Sequence, residues 1–311
     1  MAHYILTGAG FSKNFGGWLT EELWDKLVYH TEIKKNEEIW ELLKKNRQNG
    51  FETALGEAQQ NAEKDNAWCK NYKILQKAIV DIFKDMDKSI ENSRLNGSKQ
   101  LRDPQISYGI ERFVAKSDIW FTTNQDVLFE YEMPNTAIPQ LLGQQYASRG
   151  TPCVQSLQGF QIDIKRDSAI FIDQNTLQRC QEFYLANKQM HRAYIKLHGS
   201  FNWRTSDGKE LIIIGSNKQE QNIEGSKLLV IGYSFLDIHI NKIIFDAVNA
   251  ENLKLYIWNP ASFREISANL KQINQDEYID CLENGMIWLN NNKLQDFTSY
   301  DLTSLEKCFY V

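Results

Sequence analysis

The chain has 311 residues, of which 42% are hydrophobic, and its 35 Lys and Arg against 40 Asp and Glu give a formal net charge of −5. This composition supports a folded core, of the size of one large α/β domain with an insertion or of two small domains, and argues against a disordered chain. The slightly acidic balance provides no basic footprint, so we expect no direct nucleic-acid binding.

The five cysteines are scattered, and no two of them form a C-x-x-C pair. Such a set predicts reduced thiols in a cytoplasmic protein and no bound metal, because the spacing of a structural zinc site is missing. The N-terminal stretch "MAHYILTG" lacks the basic segment and the apolar run of a signal peptide. No stretch reaches the roughly 18 apolar residues that a membrane span needs, so we expect no membrane association.

Five short apolar runs predict the strands of the core. They are rich in β-branched and aromatic residues with little alternation, which favours strands buried on both faces of a parallel sheet. Ligands of such sheets bind outside the carboxyl ends of the strands, so the polar residues after each run are the candidate site residues. The runs are "HYILTG" (3–8), "DIWFTTN" (118–124), "AYIKLHG" (193–199), "KLLVIGY" (227–233) and "LKLYIWN" (253–259).

Long segments separate some of these runs. Amphipathic patterns such as "NEEIWELLKKN" predict a helical insertion over about residues 18–105, between the first and second core strands. A second insertion, over about 130–192, includes the short β-like pieces "FQIDIK" and "SAIFID". We expect residues 1–260 to form the main domain and residues 261–311 to be a closing segment of the same domain.

The first candidate site piece is the glycine loop "GAGFS" (8–12), directly after the first run. Residues 8 and 10 have no Cβ, so backbone can approach a ligand closely, and amides that begin the next segment can face an anion. The loop is neither a P-loop nor the G-x-G-x-x-G fingerprint, because the next glycine is Gly16. A tight turn without a ligand is the alternative.

Three further pieces begin within the ends of later runs and extend beyond them: "TTNQD" (122–126), "KLHGS" (196–200) and "VIGYSFLDIHIN" (230–241). The Asn124 amide can both donate and accept a hydrogen bond, whereas Asp126 is as well explained as a helix cap. His198 ends a strand-like run beside a glycine, where an imidazole could take a proton near neutral pH. A lone histidine is more often structural than catalytic.

Together, and in this order, the four pieces resemble the NAD-binding motifs of the sirtuin (Sir2-like) superfamily. The agreement is closest to the bacterial antiphage-defence branch, whose members hydrolyse NAD+. The resemblance spans residue 5 to about residue 241 and implies an α/β, Rossmann-like parallel sheet as the NAD-binding catalytic domain. The chain lacks two deacylase features, the Pro-Asp-Phe-Arg element after the glycine loop and the paired zinc cysteines, and this weakens a deacylase interpretation.

The resemblance also implies roles for single residues. Asn124 and Asp126 would address the nicotinamide ribose and the attacking water, and His198 would be the general base. The pyrophosphate would contact the glycine loop, and the adenosine side would contact the later strand ends. The implied NAD+-binding residues are Gly8, Ala9, Gly10, Phe11, Ser12, Thr123, Gly232, Ser234 and Asp237, with Asn259 a weaker candidate.

The expected reaction is cleavage of the nicotinamide–ribose bond to give nicotinamide and ADP-ribose. The leaving group is neutral and needs no strong acid, so fixed ribose geometry and a positioned water or hydroxyl supply the catalysis. An NAD-dependent deacylase or ADP-ribosyltransferase is one alternative, and a module that binds NAD or ADP-ribose without turnover is another.

The resemblance implies partners as well. An effector that depletes cellular NAD+ has to be controlled, and about 70 residues beyond the motifs are too few for an independent sensor domain. We therefore expect a homo-oligomer that joins a separately encoded partner, for which a HerA-type ATPase and a short Argonaute are examples in this branch. Four tryptophans of the helical segment could form such an interface or that segment's own core: Trp18, Trp24, Trp40 and Trp68.

Overall fold

The computed structural model describes residues 3–13, 15–47, 50–101, 117–126, 128, 170–172, 193–205, 210–212, 226–250, 252–285 and 287–290. Most of the predicted second insertion, including "FQIDIK", and residues 291–311 lie outside the described residues. The strands are β1 His3–Thr7, β2 Ile119–Thr122, β3 Ile170–Ile172, β4 Ala193–Lys196, β5 Gly199–Thr205, β6 Glu210–Ile212, β7 Lys227–Ile231, β8 Lys254–Trp258 and β9 Ile287–Asn290.

Six of these strands form one sheet in the order β4-β2-β1-β7-β8-β9. Every neighbouring pair in this sheet is parallel. Numbered by their appearance in the chain, the six strands run 3-2-1-4-5-6, which is the order of dinucleotide-binding doubly wound sheets. The predicted α/β fold with a Rossmann-like parallel sheet is therefore confirmed. The other three strands form a small second sheet in the order β3-β5-β6.

Six of the described helices lie between β1 and β2, and three others lie after β7 and β8. They are α1 Ala9–Lys13, α2 Thr20–Val28, α3 Thr31–Lys34, α4 Glu37–Lys45, α5 Phe51–Lys64, α6 Asn66–Leu101, α7 Ile238–Ala250, α8 Phe263–Gln272 and α9 Ile279–Gly285, with a 3-10 turn at Asp276–Tyr278. Local sequence sets their ends. Asn36 caps α4 by accepting from the Ile39 amide, and Ser262 with Glu265 forms a capping box on α8.

The two faces of the sheet belong to different hydrophobic clusters. Ile5 and Leu229 point to one face, where they pack with the helices between β1 and β2. Leu6 and Val230 point to the other face, where they pack with α7 and α8. Alternate residues of the strands are therefore buried on both sides, as their continuous apolar runs predict. The helices before β2 share one core with the sheet, and their status as an insertion into a smaller fold stays a prediction.

The tryptophans of the helical segment contribute to that first core. Trp24 is buried in it, and Trp18 and Trp68 pack against it partly buried. Trp40 is half-buried. Three of the four therefore have an intramolecular packing role, the alternative to an interface. None of the helices in the described ranges combines the length and the apolar character that a membrane crossing needs.

Candidate functional site

The candidate site lies at the carboxyl edge of the six-stranded sheet, where β1 and β7 are neighbours. The chain leaves β1 toward β2 on one side and leaves β7 toward β8 on the other. This is the topological switch point, where the loops diverge and open a crevice for ligands in sheets of this kind. Two loops form it: the glycine loop, residues 8–12, and the β7–α7 loop, residues 232–237.

The glycines bring these two loops into backbone contact. The Gly8 amide donates to Ile231 O at 2.9 Å, and the Gly10 amide donates to Gly232 O at 3.0 Å. A Cβ on Gly8 would lie 2.6 Å from Gly232 O, closer than any real contact of that kind. Glycine at positions 8 and 10 therefore leaves room for the β7–α7 loop. The sequence suggests another use of these glycines, the close approach of a ligand. A phosphate at this site would have to be met by other amides of the two loops.

Asn124 connects the end of β2 to the glycine loop. Its Nδ2 donates to Gly8 O at 2.9 Å and to Ser12 Oγ at 2.7 Å, and its backbone amide donates to Thr122 Oγ1 at 3.0 Å. The side chain is buried. These bonds fix its orientation and leave the carbonyl oxygen Oδ1 as the atom through which Asn124 could address a ligand.

The buried Thr7, at the end of β1, links the neighbouring strand ends through its hydrogen bonds. Trp120 Nε1 donates to Thr7 Oγ1 at 3.0 Å. Thr7 O accepts from the Thr123 amide at 3.0 Å and from Thr122 Oγ1 at 3.3 Å. Thr123 is thereby tied to β1 through its backbone, and the position of Asn124 beside it is set by the sheet rather than by a flexible loop.

Asp126, proposed from sequence for the ribose and the water, is also buried. Its Oδ1 accepts from the Leu128 amide at 3.0 Å, which is the helix-cap arrangement that sequence offered as the alternative. Its backbone carbonyl accepts from Lys196 Nζ at 2.6 Å. Lys196 is a buried lysine that sequence reasoning did not select, although a charge inside the apolar run "AYIK" is the signal that could have found it.

Gln125 lies between the two selected residues and presents an unsatisfied group. Its side chain is buried, and among the described residues its Oε1 has no hydrogen-bond partner. A buried carbonyl oxygen without a donor costs about 1–3 kcal/mol, so such atoms commonly accept from a ligand or from water. An amide or hydroxyl donor on a bound molecule fits this atom.

His198 is two residues beyond Lys196, which pairs with Thr122 across β2 and β4. Asn124 is likewise two residues beyond Thr122, so the two candidate catalytic side chains leave adjacent strands at the same level. His198 Nε2 lies 2.8 Å from Asp237 Oδ2. The side chains of this pair are 18% and 19% exposed. Sequence analysis predicted the adenosine side for Asp237, whereas in the structure its carboxylate bonds to the candidate base.

The other predicted residues divide into exposed and internal positions. Ser234 is exposed on the β7–α7 loop, where a ligand can reach it. Phe11 is fully buried and packs edge-on against Trp120 with ring centroids 5.7 Å apart, so it is a core residue. Asn259 donates to Tyr233 O at 2.6 Å and accepts from the Ala261 amide at 3.0 Å, so it braces the two strand ends. Ala9 is half-buried at the start of α1.

Tyr233 is a titratable group at this edge with a large shift in pKa. Burial, and then the nearby Asp237 carboxylate, raise the pKa of the Tyr233 hydroxyl well above its ordinary value of about 10. The hydroxyl donates to Asn241 Oδ1 at 3.0 Å, inside the first turn of α7. Tyr233 therefore stays neutral at physiological pH and acts as a hydrogen-bond donor that anchors the β7–α7 loop.

Two other features of the described residues bear on the site's chemistry. No group of three or more His, Cys, Asp or Glu side chains in the described ranges is arranged to hold a metal ion. A shallow groove of about 620 Å³ lies between α4, α5 and α6, in the helical layer rather than at the carboxyl edge. Its lining includes Glu37, Glu41, Glu57 and Trp68.

The chain has no match among protein-family models or among curated proteins.

Proposed function

We propose that the chain hydrolyses NAD+ at the nicotinamide–ribose bond and releases nicotinamide and ADP-ribose. The observation that carries the proposal is the placement of Asn124 and His198 two residues beyond paired positions of adjacent strands, at the switch point of a dinucleotide-type sheet. The resemblance of the four motifs to those of NAD-hydrolysing sirtuin-like proteins supports it independently of the geometry.

The residues suit the steps of this reaction. Asn124 Oδ1 would accept a hydrogen bond from a ribose hydroxyl and hold the sugar in a reactive orientation. His198 would take the proton of the attacking water or of a ribose hydroxyl. The C1′–N bond breaks as the oxygen approaches, its electron pair neutralises the pyridinium nitrogen, and nicotinamide leaves without needing a proton.

The nicotinamide has a candidate recognition group as well. Gln125 Oε1, the buried acceptor without a partner among the described residues, matches the donor of a carboxamide. The exposed Ser234 and the amides of the β7–α7 loop remain for the adenosine and phosphate groups. Asp126 Oδ1 already accepts from the Leu128 amide, as a helix cap would, so we assign the catalytic roles to Asn124 and His198.

One experiment separates the proposal from its alternatives. The purified chain is incubated with NAD+, with and without an acylated peptide, and nicotinamide, ADP-ribose and acyl products are quantified by chromatography. Hydrolysis gives equal amounts of nicotinamide and ADP-ribose whether or not peptide is present. Peptide-dependent release would indicate a deacylase or transferase, and binding of NAD+ without release would indicate a non-catalytic module. The antiphage role, the homo-oligomer, the HerA-type or Argonaute partner and the cytoplasmic location stay predictions.

A further inference from the structure

Asp237 occupies a rigid position at the start of α7. Its Oδ1 accepts from the His239 amide at 3.0 Å and from the Ile240 amide at 2.9 Å, so it is the N-cap of that helix. Two backbone donors on one oxygen fix the plane of the carboxylate. The second oxygen, Oδ2, therefore points in a direction that the helix sets.

That second oxygen reaches His198 across the candidate site. His198 follows β4 and Asp237 follows β7, and β2 and β1 lie between those strands in the sheet. The contact of 2.8 Å between His198 Nε2 and Asp237 Oδ2 thus passes over the strand ends that carry Asn124 and the glycine loop. A carboxylate held by a helix is a fixed acceptor for an imidazole, which is the arrangement that orients a catalytic base.

We infer that Asp237 is a positioning residue for His198, an inference that rests on the proposed function of this site. The carboxylate accepts the Nε2–H proton of the neutral ring and so places the lone pair on Nδ1. Nδ1 then takes the proton of the attacking water or ribose hydroxyl as the oxygen bonds to C1′ and the C1′–N bond breaks. The resulting imidazolium keeps its Nε2–H bond to Asp237 and later loses the Nδ1 proton to solvent.

The variant Asp237→Asn isolates this role from the cap. Asparagine is as good an N-cap as aspartate, so its Oδ1 keeps the two amide bonds of α7. Its Nδ2 is a donor, so the facing Nε2 of His198 has to become the acceptor and the ring proton moves to Nδ1. We expect kcat for NAD+ cleavage to fall by about 10²-fold to 10⁴-fold while KM changes by less than about threefold.

One spectroscopic readout and one control variant accompany the kinetics. Nitrogen-15 NMR of the imidazole should report the Nε2–H tautomer in the wild-type chain and the Nδ1–H tautomer in Asp237→Asn. Asp246→Asn, an exposed site on the same helix with the same change of charge, should keep the wild-type kcat and tautomer.

The outcomes distinguish this inference from the proposed function. Wild-type kcat and an unchanged tautomer in Asp237→Asn, with His198→Ala inactive, would overturn the positioning role and leave the function standing. A higher kcat in Asp237→Asn would also overturn it, because the contact would then be a latch that blocks the site. A wild-type chain that releases no nicotinamide would overturn the proposed function and the catalytic part of this inference, while the tautomers would still test the pairing.

Discussion

Asn124 is the side chain in which stability and the proposed chemistry are most closely joined. Its Nδ2 donates to Gly8 O and to Ser12 Oγ, so truncation leaves two buried acceptors without that donor. We expect Asn124→Ala to lower the free energy of unfolding by about 1–3 kcal/mol and to abolish NAD+ cleavage. Urea unfolding and nicotinamide release measure the two effects.

Asn36→Ala provides the matched control for Asn124. Asn36 caps α4 and donates to Asn71 Oδ1 at 2.8 Å, in the helical layer. Its truncation should cost a similar amount of stability, about 1–2 kcal/mol, and keep cleavage at the wild-type rate. If both variants lose activity in proportion to stability, Asn124 has no specific role in the reaction.

The raised pKa of Tyr233 predicts how the stability of the chain changes at alkaline pH. Its pKa is raised in the folded chain, so its contribution to stability is complete below about pH 10, the value in the unfolded chain, and is lost as pH rises toward the folded value. The free energy of unfolding should therefore decrease above about pH 10, and Tyr233→Phe should reduce that slope. Part of the slope should remain in Tyr233→Phe, because burial also raises the pKa values of Tyr4 and Tyr278.

Urea unfolding at a series of pH values between about 8 and 11 measures the slope for Tyr233. Tyr29→Phe removes a hydroxyl from a side chain that is 68% exposed and controls for the loss of a tyrosine as such. At neutral pH, Tyr233→Phe should itself cost about 1 kcal/mol, because Asn241 Oδ1 loses a donor. Equal slopes in wild type and Tyr233→Phe would contradict the argument from burial.

At the scale of elements, the two loops at the switch point fit together only through glycine. Gly232 has a φ of +61°, and a Cβ there would lie 2.6 Å from Gly10 C. We expect Gly232→Ala to destabilise the chain by more than about 3 kcal/mol, since backbone strain of about 1–3 kcal/mol adds to the clash. The free energy of urea unfolding tests this.

Substitutions at two other glycines separate backbone strain from steric clash as causes of the cost expected for Gly232→Ala. Gly50 has a φ of +85° with no atom within 4 Å of a built Cβ, so Gly50→Ala should show the strain alone. Gly56 lies inside α5 with no such contact either, so Gly56→Ala should stabilise the chain by about 0.5–1 kcal/mol. A cost for Gly232→Ala no greater than for Gly50→Ala would mean that the loops can separate.

The strands that could be predicted from the sequence are those that appear in it as continuous apolar runs. The five apolar runs became β1, β2, β4, β7 and β8, and β1, β2, β7 and β8 contribute residues to the clusters on both faces of the sheet. The edge strand β9, parallel to β8, was missed because "IWLN" is a short run within a polar, Asn-rich segment. Strands β5 and β6 of the second sheet were missed as well, since "SFNWR" mixes polar and aromatic residues.

At the scale of the whole molecule, the site depends on strand order, which local sequence does not contain. His198 and Asp237 are 39 residues apart and follow strands that are not neighbours, so only the order β4-β2-β1-β7 brings them together. The contact of Gly8 and Gly10 with Gly232 depends on the same order. Residue types and strand ends could therefore be predicted from sequence, whereas the roles of Asp237, Lys196 and the glycines required the sheet.

The architecture also explains why the long helical segment accompanies the sheet. The side chain of Phe11, in the glycine loop, and that of Trp120, in β2, belong to the same cluster as Leu43 and Ile79 of the helices. The helices thus cover the face of the sheet that supports the loop. The switch-point loops therefore rest on a packed core, and such a support preorganises the side chains of a site.

The rate of nicotinamide release from NAD+ by the wild-type chain, compared with His198→Ala and His30→Ala, tests the central claim most directly. His30 pairs with Asp81 in the helical layer, 3.7 Å away, and controls for the loss of a histidine. We predict catalytic release by the wild type and by His30→Ala, and a loss of at least about 10²-fold in His198→Ala with the fold retained. Release by His198→Ala at the wild-type rate, or no release by any of the three, would contradict the assignment of this edge as an NAD+-cleaving site.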